Sequence, residues 1–213
     1  MPASILLDDM SWLPLFPLKT VLFPDGVLPL KVFEARYMDM VRDCMKRDAP
    51  FGVVLIKSGQ EVGAAAIPEE TGCLARITHW DMPDLGVMML RTQGTERFRI
   101  LGTRVLADQR LEAHVELLAA DRDTSISDMH VACATALKAI MEDVEMRGKA
   151  EQGEEFASPF SRPARLDSAG WVANRWCEIL PIPLKARQKL LELDDAGIRL
   201  SIVHQYLQQH KIL

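Results

Sequence analysis

Residues 12–37 read WLPLFPLKTVLFPDGVLPLKVFEARY, with prolines at 14, 17, 24 and 29. Proline has no backbone N–H and a fixed φ, so no helix runs through this stretch and only short extended pieces fit between the prolines. Leu13, Leu15, Val21, Leu22, Phe23, Val27, Leu28, Leu30 and Val32 make it too apolar for a solvated linker. Asp25-Gly26 after Phe23-Pro24 supplies a turn. The ribbon is therefore expected to form a wall of the core. From Glu34 to Asp48 the period changes: Tyr37, Val41, Cys44 and Met45, with Met38 beside them, share one helical face, while Arg36, Asp39, Arg42, Asp43, Lys46 and Arg47 take the wet side.

Beyond this helix the chain reads as short strands: Phe51 to Lys57, Gly72 to Met82, Gly86 to Thr92, Thr95 to Gly102 and Glu112 to Leu118. Pro83-Asp84-Leu85-Gly86 and Gln93-Gly94 are hairpin punctuation, which makes the pieces from Gly72 to Ile100 an antiparallel meander. Within Thr95 to Ile100, Phe98 and Ile100 share one face and Arg97 and Arg99 the other, so the arginines are assigned to a solvated sheet face. With the ribbon added, there are enough strands to curl into a small barrel-like sheet.

Near Asp123 the period becomes helical. Ser125-Ile126-Ser127-Asp128 offers a capping box, and Ile126, Met129, Cys133, Ala136, Leu137, Ile140 and Val144 repeat as a helix face, with Gly148 as its stop. Lys149 to Arg165 is rich in charge, Ser and Pro and reads as an exposed connection. Further helices are expected from about Asp167 to Leu180, then after Pro183 through Leu184, Leu190, Leu191 and Leu193, and last behind an Asp194 cap with Ile198, Ile202, Tyr206 and Leu207. The class is α+β: a β-rich domain over residues 1–122 and a helical bundle over 123–213, connected internally near 149–165.

At 213 residues, roughly 70% of the unfolded chain's surface can be buried on folding. A composition of 48% hydrophobic and 26% charged residues is that of an ordinary globular protein and excludes wholesale disorder. A net charge of −5 and a pI near 5.6 disfavour a phosphate-backbone binder, so nucleic acid is not the expected partner. No apolar run reaches spanning length, and Met1-Pro2-Ala3-Ser4 followed by Asp8-Asp9 lacks the basic and apolar regions of a secretory signal. No membrane and a cytoplasmic location are expected. Cys44, Cys73, Cys133 and Cys177 show neither CxxC nor finger spacing with His, and are read as reduced core thiols with no metal.

The ordered blocks Leu13-Pro14-Leu15-Phe16-Pro17-Leu18, Val21-Leu22-Phe23-Pro24, Leu28-Pro29-Leu30 and Phe33-Glu34-Ala35-Arg36-Tyr37 resemble the N-terminal, substrate-binding domain of Lon proteases. Gly72-Cys73-Leu74-Ala75-Arg76-Ile77 and Gln93-Gly94-Thr95-Glu96-Arg97-Phe98-Arg99-Ile100 look like a second pair of that family's motifs. Trp176 to Pro183 followed by Lys189-Leu190-Leu191-Glu192 is similar to its helical region. The resemblance covers nearly the whole chain. It implies a PUA-like pseudo-β-barrel followed by helices, and a non-enzymatic module for unfolded or exposed polypeptide segments, working alone or with a separate ATPase or protease. The PUA-like likeness also raises RNA binding as the alternative, which would need a basic face with exposed aromatics.

No G-x-x-x-x-G-K-[ST] occurs, so the phosphate cradle of an ATPase is missing, and nothing resembles the serine-lysine peptidase segment of the full proteases. The chain ends at Leu213, where a full protease would continue. His79, His114, His130, His204 and His210 are scattered without H-E-x-x-H, and His79, on a predicted strand, is read as a partly buried His satisfied by backbone. Ser4, Ser58 and Ser161 lack the G-x-S-x-G elbow. Neither a catalytic residue nor a cofactor is expected. Phe33, Glu34, Arg36 and Tyr37, at the junction of ribbon and helix, are the candidate peptide-binding residues; a structural ion pair or helix cap is the competing reading of Glu34 and Arg36. Most of the eleven methionines, Met10, Met38, Met40, Met45, Met82, Met88 and Met89 among them, are assigned to the core, unless some rim an apolar patch beside the ribbon.

Overall fold

A computed structural model describes residues 12–122 and 124–213. Met10, Ser4 and the Asp123 boundary lie outside them. The ribbon forms β1 (Leu13–Leu18) and β2 (Val27–Val32), and is followed by α1 (Ala35–Arg47), β3 (Phe51–Ser58), β4 (Ile67–Asp84), β5 (Val87–Val105) and β6 (Leu111–Leu117). β1 pairs with β3 in parallel and with β6 antiparallel, while β3–β4, β4–β5 and β5–β6 are antiparallel. These pairings close a ring of five strands, and β2 is added outside it along the first half of β5. The expected pseudo-barrel is thus a closed ring with one appended strand.

The ring explains why the ribbon is apolar on both faces. Successive strand side chains point to opposite faces. Leu13 and Leu15 point inward with Val54, Leu74, Phe98 and Leu111, while Phe16 and Leu18 point outward under α1 with Tyr37, Met40, Val41 and Cys44. Phe16 stacks on Tyr37 with ring centroids 4.3 Å apart. Each such side chain contributes about 1.5–3 kcal/mol by leaving water. α1 stops at Asp48, whose φ of 48° turns the chain left-handed and whose N–H bonds back to Met45 O.

The expected three-piece meander is in fact two long strands. Pro83 to Gly86 does turn the chain, with Gly86 at φ 82°. Gln93-Gly94, expected to be a turn, lies inside β5. There Gly94 N donates to Gly26 O at 2.8 Å, and Asp25 N donates to Gly94 O at 2.9 Å. The glycine marks a close approach of two backbones.

The second half holds α2 (Val131–Gln152), entered by a 3-10 turn Asp128–His130, then α3 (Ala169–Ile179), α4 (Leu184–Glu192) and α5 (Ala196–Gln209). Three helix ends differ from expectation. Ser125 makes no cap and instead bridges to Ser168, whose hydroxyl caps α3 by accepting from Trp171 N. Gly148 does not end α2 but lies buried under the Phe156 ring, and Gly153 ends it. Asp195, one residue beyond the expected Asp194, caps α5 by accepting from Ile198 N at 3.0 Å.

The helices are packed on the ring. Val21, Phe23 and Leu55 share one core with Cys133, Leu137, Trp171, Val172, Trp176, Leu191 and Leu200, and Trp176 Nε1 donates to Cys133 O at 3.0 Å. Residues 149–165 are tied down at three places: Phe160 is buried and bridges Gly26, Arg91 donates to Ser158 O, and Arg165 pairs with Asp25. Arg97, assigned to a wet face, is only 3% exposed because the helices cover its side of the sheet. Its Nη1 donates to Leu191 O (2.8 Å) and Leu193 O (2.7 Å), and its Nη2 to Ala119 O (3.2 Å). Arg99, two residues on, remains wet and faces Glu116. A period-2 pattern identifies the face but not what covers it.

Candidate functional site

The end of β2 and the start of α1 place the four candidate residues unequally. Phe33 is 56% exposed. Glu34 occupies the N-cap position of α1 without capping through its side chain, and its Oε2 lies 3.0 Å from Arg36 Nη2. Arg36 also donates to Gln109 O at 2.9 Å, and its guanidinium sits 4.5 Å from the centre of the Tyr37 ring. Tyr37 is buried against Phe16, and burial raises its phenol pKa. Arg36 and Tyr37 therefore hold the junction in place, and Phe33, with the outer side of Glu34, is what the solvent meets.

Beside Phe33 is a depression of about 60 Å³ walled by Phe16, Leu18, Val32, Tyr37 and Val62, with Lys31, Glu34 and Glu61 as its charged rim. It has room for a small side chain. Glu61 and Val62 come from the β3–β4 loop, which Lys19 fixes by donating from its backbone N to Glu61 and from Nζ to Gln60 Oε1 at 2.7 Å. Sequence reasoning missed this loop because only the tertiary fold brings it to the junction.

Among the described residues β2 pairs with β5 alone, so its other side is a free edge. The outer half of β4, from Ile77 to Asp84, likewise pairs only with β5. At that tip Leu85 is 99% exposed and Trp80 and Met89 are largely exposed. Met89 lies opposite Lys31 of β2, while Met38, Met40 and Met88 are core. The methionines thus divide, and Met89 faces solvent between the charged Lys31 and Asp81.

The histidines are less scattered than their spacing indicates. His130 and His204 meet edge to face with centroids 5.3 Å apart. His130 Nδ1 is 3.0 Å from Ser127 Oγ and its Nε2 3.3 Å from Ser201 Oγ, so hydroxyls satisfy it, whereas His79, expected to be partly buried, is exposed on β4. Burial, then His204, lowers the His130 pKa. The four cysteines are buried free thiols, and burial raises Cys44 and Cys133 to about 11 and Cys177 to about 12. Among the described residues no group of three or more His, Cys, Asp or Glu is placed to hold a metal ion, and no helix is long and apolar enough to cross a membrane.

Among the described residues Glu178 of α3 is the one carboxylate pushed far upward, to about 7, by burial beneath the ribbon turn, with Arg175 opposing the shift. Arg175 Nη2 donates to Glu178 Oε1 at 2.9 Å and to Pro24 O at 2.7 Å. A carboxyl whose folded-state pKa lies above its unfolded value holds its proton more tightly when folded. Its stabilisation is complete below the unfolded value and is lost as pH rises through the folded one. Between about pH 5 and about pH 8 the wild type is therefore expected to lose thermal stability relative to Glu178→Gln. Parallel melting-temperature profiles for the two proteins would rule this out.

The fold has counterparts among known proteins. The model of the ATP-dependent protease La (LON) substrate-binding domain matches residues 12–209, and the chain belongs to that family. A Lon N-terminal domain protein from Xanthomonas campestris, solved by crystallography, is 34% identical, with a TM-score of 0.71 over 91% of this chain and 97% of that one. The N-terminal domain of Mycobacterium avium complex Lon protease shares the fold at 14% identity and a TM-score of 0.62, over 94% of this chain and all of that one. Among curated proteins, Lon protease 2 of Myxococcus xanthus is 28% identical and Lon protease of Anaeromyxobacter dehalogenans 26%, each over 209 residues and 96% of this chain. The chain spans 24% of the length of each of these two relatives.

Proposed function

We propose that this protein is a non-enzymatic recognition module that holds exposed apolar polypeptide segments at the junction of β2 and α1. The observation that carries this reading is Phe33, left in solvent beside an apolar depression at the end of a free strand edge. A client segment adds to the edge of β2 through main-chain hydrogen bonds, which tolerate any sequence, and places one small apolar side chain in the depression. Pro29 interrupts that edge by removing a donor, so pairing centres on residues 30–33. No covalent step is involved, and the family to which the chain belongs supports substrate recognition as the task. On this reading the protein works in the cytoplasm and passes clients to a separate ATPase or protease, with Phe33, Glu34, Arg36 and Tyr37 as contact and support. Nothing in the geometry favours RNA: the chain is acidic overall and the rim of the depression carries two acids, Glu34 and Glu61, against one base, Lys31.

Titration with fluorescently labelled unfolded casein is expected to saturate in the micromolar range. Phe33→Asp is expected to weaken binding at least about tenfold, since it puts a charge where an apolar contact forms, and to leave the melting temperature unchanged because the side chain packs on little. Absence of saturable binding by the wild type, or equal affinity for Phe33→Asp, would remove the proposal.

A further inference from the structure

β4 and β5 run past the ring as a hairpin, and the side of β4 away from β5 carries no strand beyond Ala75, where its pairing with β3 ends at Phe51. Arg76, Thr78, His79, Trp80, Asp81 and Asp84 are exposed along this edge, and Trp80 is 50% exposed. The end of α1 overhangs the start of the edge and leaves a depression of about 190 Å³ between Met45, Ala49 and Ile77. Among the described residues the side chains of Arg76, His79 and Asp84 have no ion-pair or hydrogen-bond partner, and Asp81 Oδ1 accepts only from its neighbour Met82 N, at 2.7 Å.

The sequence of this edge is its own complement. In RITHWDMPD, residues 76–84, the basic Arg76 and His79 precede Trp80 at the same distances at which the acidic Asp84 and Asp81 follow it. When two such strands lie antiparallel about a two-fold axis through Trp80, His79 of each copy faces Asp81 of the other, and Arg76 comes level with Asp84. Opposite charges across a strand pair favour it, and like charges oppose it. Moving the axis by one residue sets His79 against His79 or Asp81 against Asp81 and loses both pairs, so one register is singled out. The backbone fits the same axis. β4 departs from regular pairing with β5 between Ile77 and His79 and again between Asp81 and Asp84, and about Trp80 each departure falls opposite the other.

We propose that the outer edge of β4 pairs with the same edge of a second copy of the chain, Trp80 meeting Trp80 on the two-fold axis. Main-chain pairing centres on residues 78–82, because Pro83 has no N–H to give. The hairpin tip of each copy brings Asp84 to the Arg76 side chain of the other, and Leu85 to the depression beside Ile77. An arbitrary client would find the same backbone groups but leave the charges unmatched, and charges on an edge discriminate against strands that do not answer them. The β2 edge, by contrast, carries one charge, Lys31. In the paired sheet β2 of each copy lies at an outer border, so neither client junction is covered.

Sedimentation velocity of the full chain over a concentration series is the experiment. The wild type is expected to dimerise with a Kd on the order of 10 µM, as befits a small interface. Trp80→Asp sets two like charges face to face on the axis and should weaken the dimer at least about a hundredfold. Arg76→Glu and Asp84→Arg should each weaken it about tenfold, because a two-fold interface feels each substitution twice. An equimolar mixture of these two variants should recover wild-type affinity as a heterodimer, and the double variant should recover it alone, since the axis sets residue 76 against residue 84. All three positions are exposed, so circular dichroism should show the fold unchanged, and Phe33→Asp should leave dimerisation as it is. A wild type still monomeric at about 100 µM overturns the proposal; if Trp80→Asp then abolishes casein binding, the edge belongs to clients. A dimer indifferent to Trp80→Asp, or charge variants that do not weaken it or are not rescued by mixing, overturns it equally.

Discussion

Arg199→Met is expected to destabilise the protein by about 3–5 kcal/mol, the cost of breaking a buried charge network by removing one partner. Arg199 has no exposed surface. Its Nε donates to Leu190 O at 2.9 Å, its Nη1 to Asp121 Oδ2 at 2.7 Å and to Asn174 Oδ1 at 2.9 Å, and its Nη2 to Asp121 Oδ1 at 3.2 Å and to Leu193 O. Met fills much of the volume, so what is lost is the polar matching. Two carbonyls, an amide oxygen and a mostly buried carboxylate are left short of donors, and each unsatisfied group costs about 1–3 kcal/mol. The effect should exceed that of Arg99→Met, whose guanidinium is half exposed and faces only Glu116 at 3.8 Å. Urea unfolding of the three proteins measures this directly. A loss for Arg199→Met no larger than that for Arg99→Met would show that the network contributes nothing beyond packing.

Gly94→Ala is the second large loss, expected at about 2–4 kcal/mol through steric overlap in a core that cannot yield. A Cβ at residue 94 would overlap the Phe23 carbonyl oxygen and press on Leu22. Main chain cannot rotate out of the way as a side chain can. The ribbon turn is further anchored by the two Gly94 backbone bonds and by Arg175 on Pro24 O, so relief would mean separating β5 from the ribbon. Gly102→Ala, in the same strand, meets no atom within 4 Å of its added methyl and should change stability by no more than about 0.5 kcal/mol. Similar thermal shifts for the two variants would refute the close-approach role of Gly94.

Gly94 also illustrates how far local chemistry can be read. Glycine has two uses, left-handed backbone and absence of a side chain, and the dipeptide Gln93-Gly94 does not say which applies. Turn chemistry predicted the first, and the packed fold uses the second. The Pro83 to Gly86 hairpin was legible because its signal is local: Gly86 has the positive φ that the turn demands. Helix faces were legible for the same reason, whereas their ends were displaced by one to five residues wherever a distant group decided them, as Phe156 does at Gly148 and Ser168 at Ser125. Of the candidate site, Phe33 to Tyr37 could be singled out by sequence, but the division of labour among the four could not. Arg36 becomes a support because Gln109, far along the chain, accepts its hydrogen bond, and Val62 becomes a wall because Lys19 holds its loop.

What the sequence by itself determined is the ribbon of residues 12–37. Its prolines forbid helix and its unbroken apolar run requires burial on both faces, and these two facts, with the helix that follows, point to the β-ring and to the family. Only the tertiary structure decided which polar residues are core and which apolar residues are free. Arg97 and Arg199 are buried because α4 and Leu193 after it bring carbonyls to them and the segment after β6 brings Asp121; Phe33, Ile198 and Ile202 are exposed because nothing in the fold reaches them. Periodicity is a property of one element, whereas burial is a property of what packs against it.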